Sequence, residues 1–173
     1  MRTFAPPRRR RGDRRPVLRL LDASDSGLTP LETGAAYGVY ETLLAAWQRR
    51  DAAAIAAHFG PGGSFKAPGS GGRIYGPVIA AYAQDLFDAL HHFRLEVTQV
   101  DAVADCVVDQ WVVSGCWTGP FRAGPLAGVT PTGRAFALQG IGVIEVEDGR
   151  VRSACHYWDQ RLFLSQVGAP PIP

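Results

Sequence analysis

The sequence lacks the long apolar run that would carry the chain across a membrane. No stretch approaches the roughly 20 apolar residues that a spanning helix needs. Prolines and arginines follow the basic start, where a secretory signal would have an apolar segment. We therefore expect a protein of the cytoplasm with no membrane partner.

Cysteine is scarce, and its spacing argues against the common metal and redox motifs. Cys106, Cys116 and Cys155 form neither a Cys-x-x-Cys pair nor a cysteine–histidine zinc pattern. All three lie in apolar, strand-like runs, where a free thiol behaves as a small hydrophobic group. His91-His92 has no third ligand at zinc spacing. The sequence therefore predicts no metal site.

Positive charge is sparse in the body of the chain and concentrated at its start. The first twenty residues carry eight of the 18 basic side chains and one acidic residue, so residues 21–173 hold 10 basic and 15 acidic groups, a formal charge of −5. Such a segment is either an arm for nucleic acid or a membrane surface, or an unfolded leader. Because the acidic body offers no second basic surface, we expect residues 1–28 to be a disordered tail without a nucleic-acid partner.

The next part of the chain carries helix signals. Thr29-Pro30-Leu31-Glu32 combines a capping box with proline at the first helical position, which predicts a helix start. Asp51 is placed to cap a second helix, and Gly76-Pro77 opens a third. A short strand is expected at 64–67. The first helix has one apolar stripe, formed by Tyr37, Tyr40, Leu43, Leu44 and Trp47.

From Phe93 onward the apolar period changes to two, which is typical of strands. Strands are predicted from Phe93 to about Thr98 and at about 106–118, 134–147 and 150–158, with Asp148-Gly149 as a tight turn. Asp159 can cap a short helix after them. Helices on one face of a curved antiparallel sheet predict an α+β domain over residues 29–168, followed by a tail at 169–173. A Rossmann sheet is excluded, because alternating helices and phosphate-binding glycine loops are absent.

Several short motifs occur in a specific order in the second half of the chain. They are Pro131-Thr132-Gly133-Arg134 before a strand, the Asp148-Gly149-Arg150-Val151 hairpin, and Trp158-Asp159 followed by Gln166-Val167-Gly168. In these motifs the chain resembles the SnoaL-like polyketide cyclases, of the nuclear-transport-factor-two-like superfamily, over roughly residues 35–168.

The resemblance implies a homodimeric cone of curved sheet and helices around a deep pocket, without a cofactor. The best-known members close a polyketide ring by intramolecular aldol condensation, in which an aspartate on the last strand moves a proton. Relatives include hydroxylases, isomerases, dehydratases and epoxide hydrolases, so the fold alone does not give the reaction. The resemblance places that aspartate at His156, and histidine is itself a proton carrier near neutral pH.

Strand alternation then indicates which side chains share the pocket. Residues two apart point to the same face, which groups Asp109 with Trp111 and Trp117, and His156 with Trp158. His156 and Asp109 are the expected catalytic pair, suited to general acid–base chemistry. The expected ligand is a flat, multi-ring, largely apolar molecule. The residues expected to bind it are Trp111, Trp117, Trp158, Tyr75 at the mouth, and Gly140 and Gly142, which would leave space for it.

Other interpretations remain open at this point. His156 could be a core histidine bonded to a carbonyl group, and the tryptophans could be core residues. Asp109 would face solvent if the strand alternation were inverted. The functional alternatives are a binding or delivery protein for a hydrophobic small molecule and a hydrolase of the epoxide hydrolase kind.

Overall fold

The structure is a computed structural model that describes residues 17–20 and 30–170, with side chains from residue 34 onward. The expected disordered tail at 1–28 lies outside the described residues except at 17–20, which form a strand. Thr29 of the expected capping box and residues 171–173 also lie outside them.

Seven described strands form one sheet. They are β1 (Val17–Leu20), β2 (Phe59–Ala67), β3 (Gly72–Tyr75), β4 (Leu90–Val103), β5 (Cys106–Trp117), β6 (Ala135–Glu147) and β7 (Arg150–Trp158). Their order is β1-β4-β5-β6-β7-β2-β3, and β4 to β7 are consecutive antiparallel neighbours. The parallel pairings join β1 to β4 and β2 to β7. The predicted α+β class with a curved, mainly antiparallel sheet is confirmed.

Four α-helices accompany the sheet in the described chain: α1 (Pro30–Gln48), α2 (Ala52–Ala57), α3 (Pro77–Ala89) and α4 (Gln160–Val167). The predicted caps are confirmed, since Ala54 N donates to Asp51 Oδ1 over 2.9 Å and Leu162 N donates to Asp159 Oδ1 over 3.0 Å. Each satisfies one free N–H of a first helical turn. None of the described helices is both long and apolar enough to cross a membrane.

The apolar core has two parts. The larger lies where α1, α2 and α3 cover the inner face of the sheet and includes Tyr40, Ile55 and Phe65. The smaller lies under α4 and the loop 118–134 and includes Trp117 and Phe163. Buried Asp85 on α3 fixes this loop, because its carboxylate accepts from the backbone N–H of Arg122 over 2.9 Å.

The short strand expected at 64–67 is longer in the structure, because it includes the glycine-rich segment after α2. β2 starts at Phe59, and residues 60–63 bulge out between two paired positions, Phe59 with Val151 and Ser64 with Ser153. A Cβ on Gly63 would lie 2.6 Å from the carbonyl oxygen of Val151, so only glycine fits there. The turn at 148–149 is confirmed, with positive φ at both residues.

Candidate active site

A cavity of about 130 Å³ lies between the helices α1 and α3 and the inner face of β5, β6 and β7, and it is partly open to solvent. Its walls are almost entirely apolar and aromatic. The lining aromatic residues are Tyr40, Trp47, Phe65, Tyr82, Phe93, Trp111, Phe136, Trp158 and Phe163. Asp109 and His156 supply its carboxyl and imidazole groups, and no Lys, Arg or Glu of the described chain lines it.

Asp109 and His156 approach each other across a glycine. In the sheet register Asp109 on β5 is opposite Gly142 on β6, and Gly142 is opposite His156 on β7. A Cβ on Gly142 would overlap Asp109 Oδ1 and lie 3.0 Å from His156 Nδ1. The carboxylate and the imidazole therefore flank the space above the Gly142 backbone.

Both oxygens of the Asp109 carboxylate have hydrogen-bond donors. The Tyr40 hydroxyl donates to Oδ2 over 2.8 Å, and the Gly142 N–H donates to Oδ1 over 2.8 Å. Asp109 is only 4% exposed. Burial raises the pKa of Asp109 above its ordinary value, and the two hydrogen bonds oppose that rise.

His156 lies among aromatic rings. Its ring centroid is 5.2 Å from that of Phe65 and 6.0 Å from that of Trp111. His156 Nε2 is buried and has no hydrogen-bond partner among the described residues. Burial in this apolar wall lowers the pKa of His156 to about 4, so the imidazole is neutral near pH 7.

Gly140 and Gly142 do not leave space for a ligand, which corrects the expectation from the sequence. A Cβ on Gly140 would lie 2.8 Å from Trp111 Cε2, because the Trp111 ring lies across that glycine. The space over Gly142 holds the Asp109 carboxylate in the same way. The two glycines therefore accommodate side chains of β5 that lean toward β7.

Two of the other expected binding residues lie away from the cavity. Trp117 shares the strand face of Asp109, but it is fully buried in the smaller core and its Nε1 donates to the Gly119 carbonyl over 2.9 Å. Tyr75 lies at the end of the edge strand β3 and is 51% exposed. Neither contributes to the lining, whereas Trp111 and Trp158 do.

The sequence did not identify Tyr40 as a site residue. It appeared only as one member of the buried stripe of α1, yet its hydroxyl reaches the cavity carboxylate. Hydrogen-bonding requirements could have identified Tyr40, because a buried tyrosine hydroxyl normally has a hydrogen-bond partner and Asp109 was a predicted acceptor in the pocket.

No cluster of three or more potential metal ligands was found in the described part of the chain. The cavity lining combines one carboxyl group, one imidazole and the phenols of Tyr40 and Tyr82. Such a set can accept a proton, donate a proton and hydrogen-bond an oxygen atom of a ligand.

Comparison with known proteins agrees with this architecture. The sequence profile described as the SnoaL-like domain matches residues 40–154. No curated protein matches the chain.

Similar solved structures support the fold. A proposed SnoaL-like polyketide cyclase from Jannaschia sp. CCS1 has 22% identity and a TM-score of 0.68, covering 83% of this chain and 98% of that one. AclR, a proposed hydroxylase from Streptomyces galilaeus, has 21% identity and a TM-score of 0.66, covering 80% and 88%. An epoxide hydrolase of the LEH-like kind from M. tuberculosis has 21% identity and a TM-score of 0.59, covering 79% and 91%.

Proposed function

The chain belongs to the SnoaL-like domain family, and we propose that it is a cofactor-independent enzyme of secondary metabolism that rearranges a polyketide-like substrate by acid–base chemistry. One observation carries the proposal. His156 Nε2 is buried without a hydrogen-bond partner among the described residues, in an apolar cavity beside the buried Asp109. Leaving a buried polar atom unpaired costs about 1–3 kcal/mol, which a bound ligand would offset.

The opposite pKa shifts of His156 and Asp109 suit them to the roles of base and acid. The lowered pKa of His156 keeps its imidazole neutral and able to accept a proton from carbon or from water. The raised pKa of Asp109 favours the protonated carboxyl, which can supply a proton to a developing oxygen anion. Titratable neighbours whose environments push their pKa values in opposite directions are typical of an acid and a base in one site.

The cavity limits which part of a substrate reacts. Its volume of about 130 Å³ is close to that of an engineered apolar cavity of about 150 Å³ that binds benzene. One ring of a polyketide-like substrate therefore fits inside, and further rings of the expected multi-ring ligand would extend through the open side. A homodimer and a cytoplasmic location complete the proposal.

The reactions to test are those of the structural relatives and of the resemblance. They include ring closure or isomerisation next to a carbonyl group and opening of an epoxide. Polyketide methyl esters and single-ring epoxides would be incubated with the wild type, Asp109→Asn, His156→Ala and the control Tyr75→Phe. Mass spectrometry and product NMR would identify any new bond.

We expect the wild type and Tyr75→Phe to convert the same substrate at similar rates, because Tyr75 lies outside the cavity. His156→Ala should reduce turnover by about 10²-fold or more, the usual scale for a general base. A reduction of less than a few-fold would remove His156 from the mechanism.

A second candidate function is binding and delivery of a hydrophobic small molecule. It is favoured by the lining, in which apolar groups surround a single carboxyl and a single imidazole. A delivery protein would return every tested ligand chemically unchanged after long incubation. Formation of a product that requires both Asp109 and His156 would exclude it.

A further inference from the structure

Two polar atoms of the cavity wall have no hydrogen-bond partner. Among the described residues, Trp111 Nε1 and His156 Nε2 are the buried side-chain nitrogen or oxygen atoms that lack one. Both side chains line the cavity. The proposed base role accounts for His156 but leaves the indole N–H of Trp111 without a use. Because buried polar groups normally have partners, an unpaired donor in a ligand cavity indicates a group that the ligand satisfies.

The sheet holds the Trp111 ring in place. Trp111 lies on β5 between Val97 of β4 and Gly140 of β6, and it is only 7% exposed. Its Cε2, the carbon bonded to Nε1, is 2.8 Å from the position that a Cβ on Gly140 would take. Trp117, the other buried tryptophan of the described chain, donates its N–H to the Gly119 carbonyl oxygen over 2.9 Å. The indole of Trp111 is therefore the buried one whose donor is free for a ligand.

The surroundings of His156 favour one position for the imidazole proton. A neutral imidazole has one donor nitrogen and one acceptor nitrogen. The point that a Cβ on Gly142 would occupy is 3.0 Å from His156 Nδ1, and the nearest atom to that point is Asp109 Oδ1. An acceptor oxygen on this side favours the proton on Nδ1. Nε2 is then the acceptor.

The separation of the two rings suits a single bridging oxygen atom. The ring centroids of Trp111 and His156 are 6.0 Å apart, and the ring planes are tilted by 53°. Hydrogen bonds of about 2.9 Å to each nitrogen let one oxygen span up to about 5.8 Å. That oxygen has to accept from the indole N–H and donate to the imidazole. A hydroxyl group does both, whereas a carbonyl oxygen, an ether or an oxyanion has no hydrogen to donate.

We propose that Trp111 is a specificity-determining residue, whose indole N–H donates to a ligand hydroxyl group that in turn donates to His156 Nε2. The chemical class of the ligand is a neutral phenol or cyclic alcohol on a ring-sized, otherwise apolar portion of the molecule. The apolar part of the lining then contacts the ring that carries the hydroxyl. The proposal deepens the proposed function and rests on it only for the location of the ligand in this cavity.

Phenol and toluene test the proposal at pH 7 without turnover, because they differ by the exchange of a hydroxyl for a methyl group. Replacing Trp111 with 3-benzothienylalanine keeps the bicyclic ring and exchanges its N–H for sulfur. The ratio of phenol affinity to toluene affinity should fall at least ~5-fold in this variant, the scale of one neutral hydrogen bond. The same replacement at Trp158, which also lines the cavity, is the matched control and should leave the ratio unchanged.

NMR of the indole and imidazole groups adds a readout that a merely structural role of Trp111 would not change. The four tryptophans give four indole N–H signals, and Trp111→Phe identifies the signal of Trp111. Phenol should move this signal downfield of its position with toluene, while the signal of the already bonded Trp117 stays in place. The free protein at pH 7 should have His156 protonated on Nδ1 and unprotonated on Nε2.

An unchanged affinity ratio in the Trp111 replacement would overturn the proposal, and so would an equal fall in the Trp158 control. A Trp111 signal at the same position with phenol and with toluene would also overturn it, as would failure of both probes to bind. A proton on His156 Nε2 would exclude the hydroxyl, because two donors would require an oxygen that only accepts. If Trp111→Phe does not fold, the benzothienyl variant identifies the Trp111 signal.

Failure of the proposed enzymatic function is distinguishable from failure of this proposal. It would leave the affinity ratio and the NMR results intact while no substrate was converted.

Discussion

Acid should lower the free energy of unfolding through the buried side chain of His156. Its pKa is lowered from 6.5 to about 4 in the folded protein, so between these values the unfolded chain binds a proton at this residue and the folded chain does not. The contribution of His156 to the free energy of unfolding is therefore fully present above pH 6.5 and is lost as pH falls toward 4. Proton linkage gives a loss of about 2 kcal/mol at pH 5 and about 3 kcal/mol at pH 4, as upper values.

Urea unfolding of the wild type, His156→Gln and His91→Gln at several pH values would measure this loss. Glutamine does not titrate, so the free energy of unfolding of His156→Gln should fall less between pH 7 and pH 4, by up to about 3 kcal/mol. His91→Gln makes the same substitution at an exposed histidine and serves as the matched control. Parallel slopes for the wild type and His156→Gln would refute a neutral, buried His156. The raised pKa of Asp109 acts with the opposite sign in all three proteins, so it cancels in the comparison.

Three further substitutions have defined outcomes. Gly142→Ala places a methyl group on the Asp109 carboxylate, so urea unfolding should show a loss of about 1–3 kcal/mol; an unchanged free energy of unfolding would contradict the described packing. Asp85→Ala leaves the Arg122 N–H without its acceptor, which should cost about 1–3 kcal/mol and speed proteolysis within the loop 118–134. Asp51→Ala removes the N-cap of α2 and should cost about 1 kcal/mol in urea unfolding, with ligand binding unchanged.

Local rules predicted much of the fold. The caps at Asp51 and Asp159 and the turn at Asp148-Gly149 each depend on a few adjacent residues, and all are confirmed. The bulge at 60–63 was not predictable in the same way. Glycine and proline mark either a loop or an interrupted strand, and only the distant partner β7 decides that Phe59 and Ser64 both pair.

Strand alternation could predict which face a residue occupies but not how far along the sheet the cavity reaches. It placed Asp109, Trp111, His156 and Trp158 on the inner face, where the structure has them. Trp117 has the same parity as Asp109 but lies four residues beyond the lining residue Val113, about 13 Å along the strand, in the smaller core. Tyr40 was not predicted as a site residue, because the position of a helix residue over a sheet depends on tertiary packing, which the apolar periodicity of the helix does not reveal.

The glycines at 140 and 142 determine how closely the side chains of β5 and β7 can approach each other. A side chain at either position would stand between β5 and β7 and keep their side chains apart. With glycine, Trp111 lies across residue 140, and Asp109 extends over residue 142 on the side that faces His156. The Gly142 N–H donates to Asp109 Oδ1, and Oδ2 accepts from the Tyr40 hydroxyl. The absence of side chains at these two positions of β6 therefore leaves room for the groups from α1, β5 and β7. For that reason the proposed chemistry depends on residues 140 and 142 although neither has a functional group.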